Sequence, residues 1–321
     1  MENSKKIRVG IIGLGVIGER ILNTFYKHPK TEIIAICDVV KERAEQISQK
    51  LNGVANYTDY KELLQNPNID LVYVAIPPKY HHSVALDVLA SGKHILCEKP
   101  LANSLQEAKE LMEQAKKSGL VHAMHFPVYY TNAFQYIKND VESGNIGEIR
   151  RIEIQTHFHK WPREWQQTEW IDGREQGGFV REVIPHFIQL TQALFGELEH
   201  IQSQLELPVD SEKCETGIMA RMKLTDGTPV LVNGLSQIAQ QEHLAFTIYG
   251  TKGTISLVNW TILEVGKYNE PTREKMLQLD NQPVDLITNI VNAINGDLAD
   301  LIDFQAGYEV QKVLEALLQK V

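Results

Sequence analysis

The feature that most constrains this chain is Gly13-Leu14-Gly15-Val16-Ile17-Gly18, placed between an apolar β-branched run and a helical pattern. Further apolar runs follow at Glu32 to Cys37, Asp70 to Ile76, His94 to Cys97 and Leu120 to Phe126, after the first at Ile7 to Ile12. Amphipathic stretches near 16–27, 41–51, 58–65, 81–91 and 104–118 separate them. Runs this apolar leave no face for water, so the alternation predicts parallel strands covered by helices on both sides. Residues 1–125 therefore read as an α/β domain, a doubly wound parallel sheet.

After Asn132 the period changes. A helix near 133–143 leads through Gly144 and Gly147 into alternating strands at Ile149 to Phe158, Ile201 to Leu207, Gly217 to Leu224, Pro229 to Ser236, Ala245 to Tyr249 and Thr254 to Asn259. Turn signals at Thr225-Asp226-Gly227 and Thr251-Lys252-Gly253 predict hairpins in an open antiparallel sheet. Residues 126–321 thus form a second, α+β domain. Its last segment, roughly 284–321, is helical and is expected to pack back on the first domain.

Lys and Arg number 32 against 41 Asp and Glu, a net charge of −9 without a basic block, which argues against a nucleic-acid partner. No stretch approaches the ~18 apolar residues of a membrane span, and the start runs directly into a strand without a signal-peptide core. A cytoplasmic protein is expected. The three cysteines lie far apart and form no CxxC pair, as expected of reduced thiols.

Glycines at 13, 15 and 18 allow a tight turn, close approach of backbone to a pyrophosphate and close helix packing, with the phosphates on the helix N-terminus. Asp38 ends the second strand 38 − 18 = 20 residues past the last glycine, where a carboxylate binds both ribose hydroxyls. That carboxylate repels the extra phosphate of NADP, so NAD is the expected cofactor. Lys41 and Arg43 are the nearest cations. The fourth strand ends in Pro77-Pro78, a stiff wall at the carboxyl edge, with His81 three residues on; a packing or capping role for His81 stands beside a functional one. The fifth ends in Glu98-Lys99-Pro100, before a helix opening at Ser104 with Glu107 as a capping-box partner. Lys99 then sits on the glycine-loop edge, where an ammonium can bind a substrate oxygen and steady alkoxide character as hydride leaves carbon.

Taken together, the glycine loop, the acid after strand two, Pro77-Pro78 with His81, and Glu98-Lys99-Pro100 resemble the glucose–fructose oxidoreductase / inositol dehydrogenase (Gfo/Idh/MocA) family. Later echoes are Gly144-Asn145-Ile146-Gly147-Glu148-Ile149 and Tyr249-Gly250-Thr251-Lys252-Gly253-Thr254. The resemblance implies a Rossmann first domain and hydride transfer between NAD(P) and a sugar, polyol, cyclitol or related diol. It makes Lys99 the catalytic lysine and assigns cofactor contacts to Gly13, Gly15, Val16, Ile17, Gly18, Asp38, Pro77, Pro78, His81, Glu98 and Lys99. It also implies a homodimer or homotetramer built on the open sheet. The family's glycine-rich segment, leading to an aspartate and four residues later to an acid/base histidine, matches Gly177-Gly178 and His186, with Glu182 in the aspartate position. A neutral imidazole there accepts a hydroxyl proton and returns it.

The chain departs from the family pattern in three places. Glu182 is one methylene longer than aspartate. Ile184-Pro185 stands where glycine is common, so a helix is expected to start or kink at Pro185. Tyr129 stands near a position that relatives often give to arginine, so a substrate contact usually made by a cation is expected here from a phenol. A segment rich in aromatics contains Trp161, Arg163 and Trp165, with Trp170 soon after. It reads equally as a substrate-shaping loop, with Arg163 on hydroxyls, or as aromatic packing. His157 and His159 alternate on one strand face without a third ligand, so no metal is expected. Two rivals remain: a ligand sensor on the same fold, which in this family tends to lose the lysine, and a reductase of imines or conjugated carbonyls.

Overall fold

Strand and helix alternate through residue 124. The computed structural model describes residues 6–166, 168–277 and 284–319. Its first elements are β1 (Ile7–Ile12), α1 (Val16–Lys27), β2 (Thr31–Cys37), α2 (Lys41–Lys50), β3 (Ala55–Tyr57), α3 (Tyr60–Leu64), β4 (Leu71–Val74), α4 (His81–Ala90), β5 (His94–Cys97), α5 (Leu105–Ser118) and β6 (His122–Met124). The six strands pair in the order β3-β2-β1-β4-β5-β6, every pair parallel. Val9, Ile11, Leu71, Val72 and Val74 are wholly buried, which is why the central strands are apolar on both faces. The winding reverses between β1 and β4, and a crevice forms at the carboxyl ends of strands at such a switch point.

Ser104 caps α5 by accepting the Glu107 N–H at 3.3 Å, and the Glu107 carboxylate reaches back to the Asn103 N–H at 3.1 Å. The expected capping box is present, with its return bond displaced by one residue. Gly119 closes the helix in the left-handed region at φ 67°.

The chain continues with α6 (Asn132–Glu142), β7 (Ile149–Phe158), α7 (Phe179–Glu182), α8 (Ile184–Phe195), β8 (Leu198–Glu206), β9 (Gly217–Leu224), β10 (Pro229–Ser236), β11 (His243–Gly250), β12 (Gly253–Val258), β13 (Ile262–Lys267), β14 (Arg273–Glu274), α9 (Leu286–Asn295) and α10 (Phe304–Leu317). Two units result: Met1–His125 with Val284–Tyr308, and Phe126–Pro283 with Glu309–Val321.

The sheet of the second unit has eight strands in the order β14-β13-β12-β11-β7-β10-β9-β8. It was expected to be antiparallel and is mixed, because β7 and β10 run parallel from Val230↔Ile152 to Ser236↔Phe158. Helix α8 carries the chain from the end of β7 to a β8 of the same direction. Two hairpin reversals then bring β10 beside β7 in that direction. Apolar alternation reports which face is buried and carries no strand direction. The sequence reading also missed β13, since its turn signal, Asn259-Trp260, lacks the glycine that usually marks a two-residue hairpin.

Pro185 acts as expected. Helix α7 ends at Glu182, Val183 breaks the run, and Pro185 sits in the first turn of α8, where its missing N–H costs nothing. Glu182 and His186 therefore do not share one continuous helical face.

Candidate functional site

The first unit gathers its candidate residues on the carboxyl edge of the parallel sheet. Gly13 has φ +94°, and a Cβ there would lie 2.1 Å from the Ala75 carbonyl oxygen. A Cβ on Gly18 would lie 2.1 Å from the Gly13 carbonyl oxygen, so the loop folds on its own backbone. A Cβ on Gly15 would point into open space, with no atom within 4 Å beyond its own chain neighbours. Among the described residues no side chain caps α1, whose first N–H groups open beside Gly15, exposed Val16 and half-buried Ile17. Space and uncapped donors together suit a pyrophosphate.

Asp38, 6% exposed, is fixed beside this loop. Its Oδ2 accepts the Leu14 N–H at 2.8 Å and its Oδ1 the Val40 N–H at 2.9 Å. The Arg43 guanidinium lies 3.1 Å from both oxygens and stays half exposed. A cation on this carboxylate weakens the argument that Asp38 alone repels a 2′-phosphate.

At the end of β4, half-buried Pro77 and buried Pro78 form the expected wall. His81 stands behind it, 0% exposed. Its Nδ1 lies 2.7 Å from the Pro100 carbonyl oxygen and its Nε2 2.8 Å from that of Ile76. Burial pushes the His81 pKa down, against the pull of those two carbonyls. The ring is thus wholly buried between the wall and the turn after β5, with both nitrogens facing backbone carbonyls.

That turn carries Glu98 and half-buried Lys99, whose peptide bond to Pro100 is cis. Glu98 is buried, and its Oε1 accepts the Tyr73 hydroxyl at 2.6 Å and faces His125 Nδ1 at 2.5 Å. The Lys99 N–H lies 3.3 Å from Oε2. Burial alone would raise the Glu98 pKa, but the charge and hydrogen bond of His125, then Lys99 and Tyr73, outweigh it and hold the carboxyl at about 2. Burial and the Glu98 charge push the Tyr73 phenol well up, so it stays a donor. The sequence reading missed both partners of Glu98. A tyrosine inside the apolar run Leu71–Val74 was the available signal, because a buried hydroxyl requires a partner.

In the second unit, the Val180 N–H donates to Glu215 Oε1 at 2.8 Å, and Gly178 at φ +95° leaves no room there for a Cβ, which would meet that carboxylate at 2.4 Å. This anchors α7 immediately before His186. The His186 ring makes T-shaped contacts with two aromatic rings, Phe126 at 5.6 Å and Trp260 at 5.4 Å between centroids. Trp260 was also absent from the sequence reading.

The four residues offered as substrate contacts fare differently. Trp161, 5% exposed, donates its Nε1–H to the Ile171 carbonyl and packs on Phe158 and Phe179. Arg163 grips Glu242 with two bonds of 2.8 and 3.0 Å and covers the Phe158 and Trp161 rings. Both side chains therefore have protein partners, Trp161 in an aromatic cluster and Arg163 on Glu242. Tyr129 is buried against Tyr130 and Phe134, whereas Trp165 is exposed.

Comparison with known proteins places this geometry. Residues 7–126 match the model described as "Oxidoreductase family, NAD-binding Rossmann fold", and residues 138–321 match "Oxidoreductase family, C-terminal alpha/beta domain". An uncharacterised oxidoreductase of Schizosaccharomyces pombe is 29% identical over 209 residues, 63% of this chain and 56% of its own length. The chain thus spans little more than half of that relative. Myo-inositol 2-dehydrogenase of Thermotoga maritima is 25% identical over 254 residues, 78% of this chain and 74% of the relative. Levoglucosan dehydrogenase in complex with NADH superposes with TM-score 0.83 at 21% identity, over 98% of this chain and 96% of that one. The 3-ketoreductase KijD10 of Actinomadura kijaniata, in complex with NADP, gives 0.85 at 21% identity over 98% and 97%. At such identities the structures establish the fold.

Two predictions follow from the first unit. Gly15→Ala should keep the wild-type melting temperature and weaken NAD binding, while Gly18→Ala, driven into backbone, should lose about 1–3 kcal/mol of stability. Thermal melts and NAD titrations separate the two. Glu98 has a folded pKa below the ordinary 4.5, so its contribution to stability is complete above about 4.5 and is lost as pH falls toward 2. Urea unfolding of wild type and Glu98→Gln across pH 7 to 2.5 should show that portion of the acid dependence only in the wild type. Matching pH dependences would remove Glu98 as its source.

Proposed function

Because this chain belongs to the Gfo/Idh/MocA oxidoreductase family, we propose that it oxidises or reduces a secondary alcohol or ketone of a sugar, polyol or cyclic diol with NAD. The observation that carries the reading is Lys99, placed on the sheet edge that holds the open glycine loop and backed by the buried Glu98 network. The uncapped start of α1, the space at Gly15 and the fixed Asp38 carboxylate fit a dinucleotide.

When bound, the nicotinamide accepts hydride in oxidation and returns it in reduction. The Lys99 ammonium holds the substrate oxygen and steadies the alkoxide charge that grows as the carbon loses hydride. The imidazole of His186 takes the hydroxyl proton and gives it back in the other direction. Glu182, at the end of α7 and across the break at Val183, keeps the orienting role that the family pattern gives its position. The inositol, levoglucosan and 3-keto chemistry named for relatives supports a polyhydroxylated or cyclic substrate. Small sugar-like ligands also suit a chain in which no described helix is long and apolar enough to cross a membrane.

NAD is the preferred cofactor because both Asp38 oxygens are held by backbone N–H groups, ready for ribose hydroxyls whether or not Arg43 stays. Arg43 supplies the cation through which NADP is tolerated.

The test is a screen of sugars, polyols and cyclic diols with NAD and NADP, read by absorbance of the reduced nicotinamide. Lys99→Met and His186→Ala should each lower kcat by about 10²–10⁴-fold while NAD still binds. Turnover that survives Lys99→Met, or a panel with no substrate in it, would overturn the reading. Arg43→Ala should lower kcat/KM with NADP about tenfold more than with NAD, the worth of one charge-assisted contact.

A further inference from the structure

The turn between β12 and β13 is built against its own preference. The Thr261 N–H donates to the Val258 carbonyl at 3.2 Å, and the two residues inside that turn, Asn259 and Trp260, have φ of 45° and 72°. This is the mirror-image turn that favours asparagine followed by glycine. Asn259 suits its place, donating its backbone N–H to the Leu244 carbonyl at 2.9 Å and accepting the Leu244 N–H on its Oδ1 at 2.9 Å. Trp260 does not suit its own. A bulky residue in the left-handed region is strained, and glycine would relieve that strain.

What holds the tryptophan there is a column of rings. Its indole lies flat on Phe187, 3° from parallel and 5.2 Å between centroids, and Phe187 stacks in turn on Phe246 at 6.2 Å. The same indole meets the His186 imidazole in a T-shaped contact at 80°, and Phe126 meets it in another at 88°. Phe187 and His186 are neighbours in the first turn of α8, so one indole braces two consecutive side chains of that turn.

We infer that Trp260 is a positioning residue for His186, with its turn kept in the left-handed region so that the indole and Phe126 confine the imidazole to one orientation. The inference rests on the acid/base reading of His186. Two perpendicular aromatic contacts restrict ring rotation that the reaction would otherwise have to freeze, and misplacement of about 1 Å costs catalysis on the order of 10²-fold.

The experiment uses the full chain with NAD bound. Trp260→Gly suits the turn and should melt within a few degrees of wild type, the lost stacking being offset by relief of the backbone. It should lower kcat tenfold or more with KM for NAD unchanged, and Trp260→Phe should restore most of the loss. Without any substrate, the His186 ring C–H resonances of the NAD complex should be single and narrow in wild type and Trp260→Phe, but broadened or doubled in Trp260→Gly. Phe187→Leu, which keeps the indole and removes its platform, should give the same signature and serves if the glycine variant does not fold. Wild-type kcat and narrow His186 resonances in Trp260→Gly, or in Phe187→Leu, would overturn the inference. If His186→Ala abolishes turnover while Trp260→Gly retains it, only the positioning role fails. If His186→Ala keeps full turnover, the acid/base reading itself has failed.

Discussion

A carboxylate buried at the end of β5 sets the terms for the rest of the first unit. Taking Glu98 out of water costs several kcal/mol unless opposite charge and hydrogen bonds replace the solvent. The replacement comes from Tyr73 in β4 and from His125, which follows β6. One side chain thereby ties the ends of three adjacent strands, and the backbone of Lys99 closes on its second oxygen. The lysine is held on a surface whose geometry is decided from within. His81 stands behind, its two ring nitrogens within 2.8 Å of the Ile76 and Pro100 carbonyls and its single neutral N–H free to donate to one of them.

Asp38 makes an instructive contrast. It too is nearly buried, yet its oxygens take backbone N–H groups from Leu14 and Val40, and its cation, Arg43, is half exposed. The anchoring bonds come from local backbone, while the charge partner stays half exposed. The two acids lie on the same sheet edge, one enclosed by buried partners and the other paired with a cation that reaches solvent.

Much of the first unit was legible because its signals are short-range. Apolar runs announced both-face burial, Gly13 to Gly18 announced the loop, and Ser104 with Glu107 announced the start of α5. The relations that were not legible are spatial. Tyr73 and His125 lie far from Glu98 in sequence, and no local rule links them. The parallel pairing of β7 with β10 depends on the path through α8, which alternation does not encode. Arg163 looked available for a ligand because its partner, Glu242, is equally remote. Trp260 escaped notice for the opposite reason: it breaks a local rule, and the cause of the break is a ring stack drawn from other strands and helices.

The placement of β7 also bears on how the polypeptide is made. This ten-residue strand pairs with β10 on one side and β11 on the other, and both are encoded after residue 228. A nascent chain that has emerged only through α8 carries the future centre of its larger sheet with both edges bare. Its inward-facing Ile152, Ile154, Thr156 and Phe158 are then uncovered by the strands that later flank them. Bare edges of this kind recruit other chains. During synthesis, the segment from β7 to β9 is therefore the interval in which this protein most needs shelter from its own copies.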